Sequence, residues 1–178
     1  LADLIEHDRG TDSGLRSFIG NFMAVLEFDA RRDGRLPSKR ELETYSALLG
    51  TAVMDGIQYF IGNGHPYPKT PDRYLAVTAA HLTHMLRDLR DDLSAGVVNI
   101  PGEYLEKQGI GANDVDSEAF RLWVRGQVEL ARRYFREGKG YVEETEVLRC
   151  RLAGAWYCAR FETVLATIEG DGYRLRAK

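Results

Sequence analysis

Apolar residues recur at three- and four-residue spacing through the long segments of this chain, and that period commits it to helices. Leu15, Phe18, Ile19, Phe22 and Leu26 form one such stripe, which predicts an amphipathic helix to about Arg32, broken by Asp33-Gly34. Ser38 with Glu41 three residues later makes a capping box just after Pro37. It opens a helix that should run to about Ile61 and stop at Gly62-Asn63-Gly64. His65 to Lys69 carries two prolines and reads as a loop. Thr70-Pro71-Asp72 starts a third helix, with Pro at its first position, that ends near Gly96. Pro101 to about Leu105 is at most a short helical turn. Ser117 opens a fourth long helix expected to end at Gly138, and a fifth spans about Tyr141 to Glu169 before Gly170-Asp171-Gly172. No segment reads as a strand. The expected fold is all-α, with long helices and short links in one domain over residues 1–178, a length that buries a core without staples.

Composition narrows the function classes. The chain is 44% hydrophobic and 29% charged, ordinary for a soluble globular protein. Its net charge of −3 offers no basic footprint for nucleic acid. No apolar run approaches the roughly 18 residues of a membrane span, and no signal peptide is recognisable. Cys150 and Cys158 share one predicted helix at a spacing that fits neither a disulfide framework nor a zinc ribbon. They are expected to be buried small hydrophobes in a reducing, cytoplasmic setting. Trp123 and Trp156 fall on apolar helix faces and are expected in the core. Arg31-Arg32 is expected to satisfy the carboxyl end of the first helix. Leu1 falls in mid-pattern with no initiator Met, so an amino-terminal portion is expected to be missing, cleaved or on another chain.

The third helix concentrates the chemistry: His81-Leu-Thr-His84-Met-Leu-Arg87-Asp88-Leu-Arg90-Asp91-Asp92, closed by Gly96 and Asn99-Ile-Pro101. At about 100° per residue, Asp88 and Asp92 flank His81 at about −20° and +20°, with His84 at about −60° and Asp91 at about −80°. Leu75, Leu82, Leu86, Leu89 and Leu93 cluster roughly 80° to 140° away as a core stripe. The spacing leaves two readings open. The acid face points at water, as charge opposite a leucine stripe commonly does, or the like charges hold a cation. For a cation, carboxylates without thiolates suit Mg²⁺ or Mn²⁺ completed by substrate phosphates. A set of His81, His84 and Asp88 would instead suit Zn²⁺ or Fe²⁺.

The segment Arg87-Asp88 with Asp92 four residues on, then Gly96 and Ile100-Pro101, resembles the second aspartate-rich motif of the squalene and phytoene synthases. Phe28-Asp29, Arg35 and Glu41-Leu42-Glu43-Thr44-Tyr45 resemble that family's Asp helix, basic loop and Leu-x-x-Tyr. Ala131-Arg132-Arg133-Tyr134-Phe135 with Gly138, and Ala159-Arg160-Phe161 through Gly172-Tyr173, resemble its later helices, all in the family's order. The resemblance implies an isoprenoid-synthase-like helical bundle lacking its amino-terminal helices. It implies Mg²⁺-dependent ionisation of a prenyl diphosphate and head-to-head condensation with a second, through a cyclopropyl intermediate. Ionisation needs charge stabilisation of the departing diphosphate, and the carbocation needs a dry apolar cavity.

By the same resemblance, Asp88 and Asp92 are metal ligands, and Arg87 contacts diphosphate unless it merely pairs with Asp91 or Glu103. Tyr45, His81 and His84 line the substrate site, with an ordinary half-buried core position the alternative for Tyr45. Asp29 and Arg35 support the cavity mouth, and Asp91 stays solvated. The chain also departs from the family. His81 and His84 replace Gln and Asn, Val97 follows Gly96 where the family has Arg, and Phe161 replaces a Tyr. The first aspartate-rich motif is absent; Asp8 and Asp12 have its spacing, but Gly10 between them disfavours a helix. Two further expectations follow. One is a catalytically incomplete or half-subunit member that binds a prenyl ligand, or a second chain supplying the missing motif. The other is an unrelated helical His/Asp metalloprotein. Peripheral membrane contact is a further expectation, because the implied substrates are lipids.

Overall fold

The computed structural model describes residues 5, 6, 8, 14–32, 34–63, 65, 67, 68 and 70–176. The described residues form six α-helices and one 3-10 turn, with no strand among them. The helices are α1 (Leu15–Arg32), α2 (Lys39–Gly62), α3 (Leu75–Ser94), α4 (Gly102–Gln108), α5 (Glu118–Glu143) and α6 (Leu148–Gly170). The expected all-α bundle is the observed one. Asp12, Gly10, Asp33, Gly64 and Lys69 lie outside the described residues.

Local chemistry sets the boundaries. Ser38 caps α2 with both arms of the capping box: its hydroxyl accepts from the Glu41 amide, and the Glu41 carboxylate accepts from the Ser38 amide at 2.7 Å. The same helix stops where Asn63 turns left-handed. Thr70-Pro71 starts the 3-10 turn Pro71–Tyr74, and the α-helix proper begins only at Leu75. Gly96 takes φ +79 just beyond α3, a conformation that favours glycine and lets the chain turn back toward the helix.

Three features differ from expectation: the turn expected at Pro101 to about Leu105 is the seven-residue helix α4, the last helix begins at Leu148 and not near Tyr141, and the helix before it runs on past its expected end. Gly138 does not end the fourth helix; α5 continues to Glu143 and α6 begins at Leu148. Gly138 is a packing residue instead. A Cβ there would run into the backbone nitrogen of Ala76 and lie 3.0 Å from the Leu75 Cβ. The missing side chain is what lets α5 press against the start of α3.

α3 is the central helix, in contact with α2, α5 and α6. Leu86 and Leu89 are fully buried in a core shared with Phe120, Val124, Val128, Phe135 and Leu165. Burying each such side chain is worth about 1.5–3 kcal/mol. Gly50 brings α2 close on the other side, because a Cβ there would come within 2.8 Å of the Thr78 hydroxyl. That approach sets Tyr45 of α2 against His81 of α3. Trp123 is buried as expected, but Trp156 is 66% exposed, with Leu148 and Leu152 exposed on the same face of α6. Its apolar face meets none of the described helices, so its place in the core is corrected. Cys150 and Cys158 are free and buried. Among the described residues no helix is long and apolar enough to cross a membrane.

Candidate active site

α3 turns the predicted acid face toward an open cavity of about 510 Å³. His81, His84, Asp88 and Asp92 line it together with Asp29, Arg32, Arg35 and Tyr45 from the α1–α2 side, and Asn99 from the loop after α3. Asp91 lies outside this lining and is exposed.

Asp88 is the most heavily engaged group. Arg87 donates to both its oxygens, Nε to Oδ1 and Nη2 to Oδ2, at 2.9 Å each. His84 Nε2 lies 2.9 Å from Oδ2, one helical turn back. Arg87 therefore pairs with its neighbour in sequence, not with Asp91 or Glu103. This charge-assisted fork raises the Arg87 pKa. Asp92 accepts from Asn99 Nδ2 at 3.2 Å. Burial, then repulsion from Asp88, raises the Asp92 pKa, while Asn99, His84 and Arg32 oppose the rise.

His81 is only 8% exposed, and its Nε2 has no hydrogen-bond partner. Burial, with a smaller push from His84, lowers its pKa to about 4, so the imidazole is neutral at physiological pH. Its ring packs on Tyr45, centroids 5.4 Å apart. Tyr45 in turn packs on Phe28 and donates its hydroxyl to Asp29 Oδ2 at 3.1 Å. Burial and the Asp29 charge push the phenol up to about 12, so it stays a donor. His84 is half exposed and meets the Phe161 ring edge-on, at 6.4 Å between centroids.

Arg35 spends its fork on Glu41, at 2.6 and 3.1 Å. That bond, with the Ser38 contacts, holds the Glu41 carboxyl down at about 2. Arg35 thus supports the mouth by bracing the start of α2. Arg32 departs from expectation: Arg31 is a surface pair with Glu27, whereas Arg32 is buried and bonds across to the Val98 carbonyl. Arg32 and Asn99 also line the cavity, though the sequence assigns no site chemistry to either. Their only signal is the three-residue step from Asp29 to Arg32 and an Asn just past the helix-ending Gly96.

Beyond Met85 and Asn99, which line both spaces, lies a second and largely apolar cavity of about 720 Å³. Leu42, Leu75, Leu82, Leu86, Trp123 and Leu130 wall it, with Lys39, Glu43, Glu103 and Lys107 among its charged lining. Among the described residues no group of three His, Cys, Asp or Glu side chains is placed to hold a metal. The alternative His81–His84–Asp88 trio for Zn²⁺ or Fe²⁺ is therefore not assembled.

An acid-lined polar cavity shares its wall with an apolar one in an all-α bundle, an arrangement consistent with an isoprenoid-synthase-like fold. The family model for squalene/phytoene synthase matches residues 2–178, and the chain belongs to that family. No curated protein and no solved structure matches it.

Proposed function

We propose that this chain forms the site of a transferase that condenses two prenyl diphosphates head-to-head. The observation that carries the reading is the shared wall. Asp88 and Asp92 line the polar cavity, while Met85 and Asn99 also face the apolar one. An allylic diphosphate has that division, a polyanionic head on a hydrocarbon chain.

The donor set suits Mg²⁺ or Mn²⁺: two carboxylates one turn apart and no thiolate, with diphosphate oxygens and water completing the shell. Asp88 and Asp92 would hold it, and when bound it would neutralise charge on the departing diphosphate. The chain's own residues supply the rest. Arg87, which pairs with Asp88 and is not among the residues lining the polar cavity, would have to leave that carboxylate to give its fork to a diphosphate oxygen as the C–O bond breaks and the electron pair leaves with oxygen. His81, kept neutral, adds no positive charge beside the carbocation. The apolar wall would shield the carbocation from the water that quenches it.

The test is the full protein with radiolabelled farnesyl or geranylgeranyl diphosphate and Mg²⁺. Release of inorganic pyrophosphate with formation of a C30 or C40 product is the expected result. No product together with no loss of substrate overturns the reading.

A second reading has its own observation. Asp88 is occupied by Arg87 and His84, and no third acidic ligand joins it among the described residues. That favours a chain that binds a prenyl diphosphate but needs carboxylates from elsewhere, such as a second polypeptide, for turnover. Tight binding of substrate by the purified protein without turnover distinguishes it.

A further inference from the structure

We infer that Arg32 is a positioning residue for Asp92, acting through the loop of residues 97–99, which itself carries Asn99. This inference rests on the proposed function for what the positioned carboxylate does.

The argument starts from burial. Arginines at a helix end normally keep the guanidinium in water, and Arg31 does so with 76% of its side chain exposed. The Arg32 side chain is 8% exposed. Placing a guanidinium there is unfavourable unless its donors are used. They are used across the fold. Nη2 donates to the Val98 carbonyl, 66 residues away, and Nη1 lies 3.5 Å from Asp29 Oδ1. The plane sits over the Phe28 ring at 5.5 Å. One cation thus ties the end of α1 to the chain that returns from α3.

That returning chain is held at three successive residues. The Val97 amide donates to the Asp92 carbonyl at 2.8 Å. Val98 offers its carbonyl to Arg32. Asn99, itself buried, donates its side-chain amide to the Asp92 carboxylate at 3.2 Å. The position of Asn99, and so the orientation of the Asp92 carboxylate, depends on where Val98 is pinned. Through Asp29, the same guanidinium is linked to the Tyr45 hydroxyl of α2, on the same side of the cavity. Arg32 lines the polar cavity without needing to touch a substrate to matter there.

The experiment compares wild type, Arg32→Gln, Arg32→Lys, Asn99→Ala and the Arg32→Gln/Asn99→Ala double variant of the full protein. Arg31→Gln is the control. The first readout needs no ligand: hydrogen exchange of the amides of residues 97–100. In Arg32→Gln these should exchange at least about tenfold faster, while α5 keeps its protection. The second readout is binding of Mn²⁺ with inorganic pyrophosphate, by titration calorimetry. Arg32→Gln should weaken it about tenfold, non-additively with Asn99→Ala. Arg32→Lys keeps the charge but loses the fork, and should fold and show a smaller loss in both readouts. Unchanged exchange at 97–100 in Arg32→Gln and Arg32→Lys, or strictly additive binding losses, overturns the inference. Failure of the wild type to bind Mn²⁺ with pyrophosphate overturns the functional reading instead, and hydrogen exchange still decides the role of Arg32.

Discussion

Arg87 and Asp88, neighbours in sequence, close a two-point ion pair: Nε to Oδ1 and Nη2 to Oδ2, both at 2.9 Å. The residue expected to bind diphosphate thus neutralises the residue expected to bind metal. Under the proposed function, the pair is an internal substitute for both ligands. Removing Arg87 should then act in opposite directions on the two. In Arg87→Gln, Asp88 loses a competing cation, so Mn²⁺ alone should bind about threefold more tightly. Pyrophosphate in the presence of Mn²⁺ should bind about tenfold more weakly, the size of one lost charge-assisted hydrogen bond. Calorimetric titration of each ligand reads this out. Movement of both affinities in the same direction would show that the pair is only structural.

His81 predicts a pH dependence of stability. The unfolded histidine takes up a proton near pH 6.5, whereas the folded one refuses it until about 4. Between these values the unfolded state binds more protons, so stability falls as pH falls through that window. The full difference corresponds to about 3 kcal/mol, as an order of magnitude. In His81→Gln this contribution is gone. Urea unfolding of both proteins from about pH 7.5 down to about 4 should therefore show the wild type losing more stability than the variant. A difference between them that stays flat across the window contradicts a neutral buried imidazole.

Helices announce themselves through local chemistry, and so most of this bundle is readable from its residues. Ser38 with Glu41 and Asn63 after Gly62 mark ends that the structure keeps. The period also places His81, His84, Asp88 and Asp92 on one face, which the structure turns to one cavity. What escapes is whatever depends on contacts distant in sequence. Gly138 reads as a terminator because glycine usually is one, yet here Ala76, far back in the chain, requires the missing side chain. Arg32 reads as a solvated helix end because its partner at Val98 is 66 residues away. Trp156 reads as core because an apolar face carries no label for what covers it.

Two glycines of α5 separate packing from propensity. Gly138 and Gly140 lie in the same helix turn, but only Gly138 meets a neighbour. Alanine at 140 faces open space and should stabilise the protein by up to about 1 kcal/mol through helix propensity. Alanine at 138 must push Ala76 and Leu75 away, and should destabilise by about 1–3 kcal/mol despite the same propensity gain. Thermal unfolding of the two single variants checks this. Equal shifts would mean that α5 and α3 are not in contact at this point.

Val97 offers a gain-of-function test at the cavity mouth. It lines the polar cavity, is 38% exposed, and follows the turn at Gly96 where the resemblance places an arginine. Of the arginines lining this cavity, Arg35 is committed to Glu41 and Arg32 to Val98. An exposed arginine at 97 would therefore add a cation with its fork uncommitted, beside Asp88 and Asp92. Val97→Arg should tighten pyrophosphate binding in the presence of Mn²⁺ by roughly three- to tenfold, and Val97→Lys by less, because lysine lacks the bidentate fork. The gain should shrink at high salt, since a half-exposed charge is screened within about 10 Å at 0.1 M ionic strength. Calorimetry at about 0.05 M and about 0.5 M salt separates the outcomes. A salt-independent gain would point to altered packing of the 97–99 loop, and no gain would place the diphosphate away from this rim.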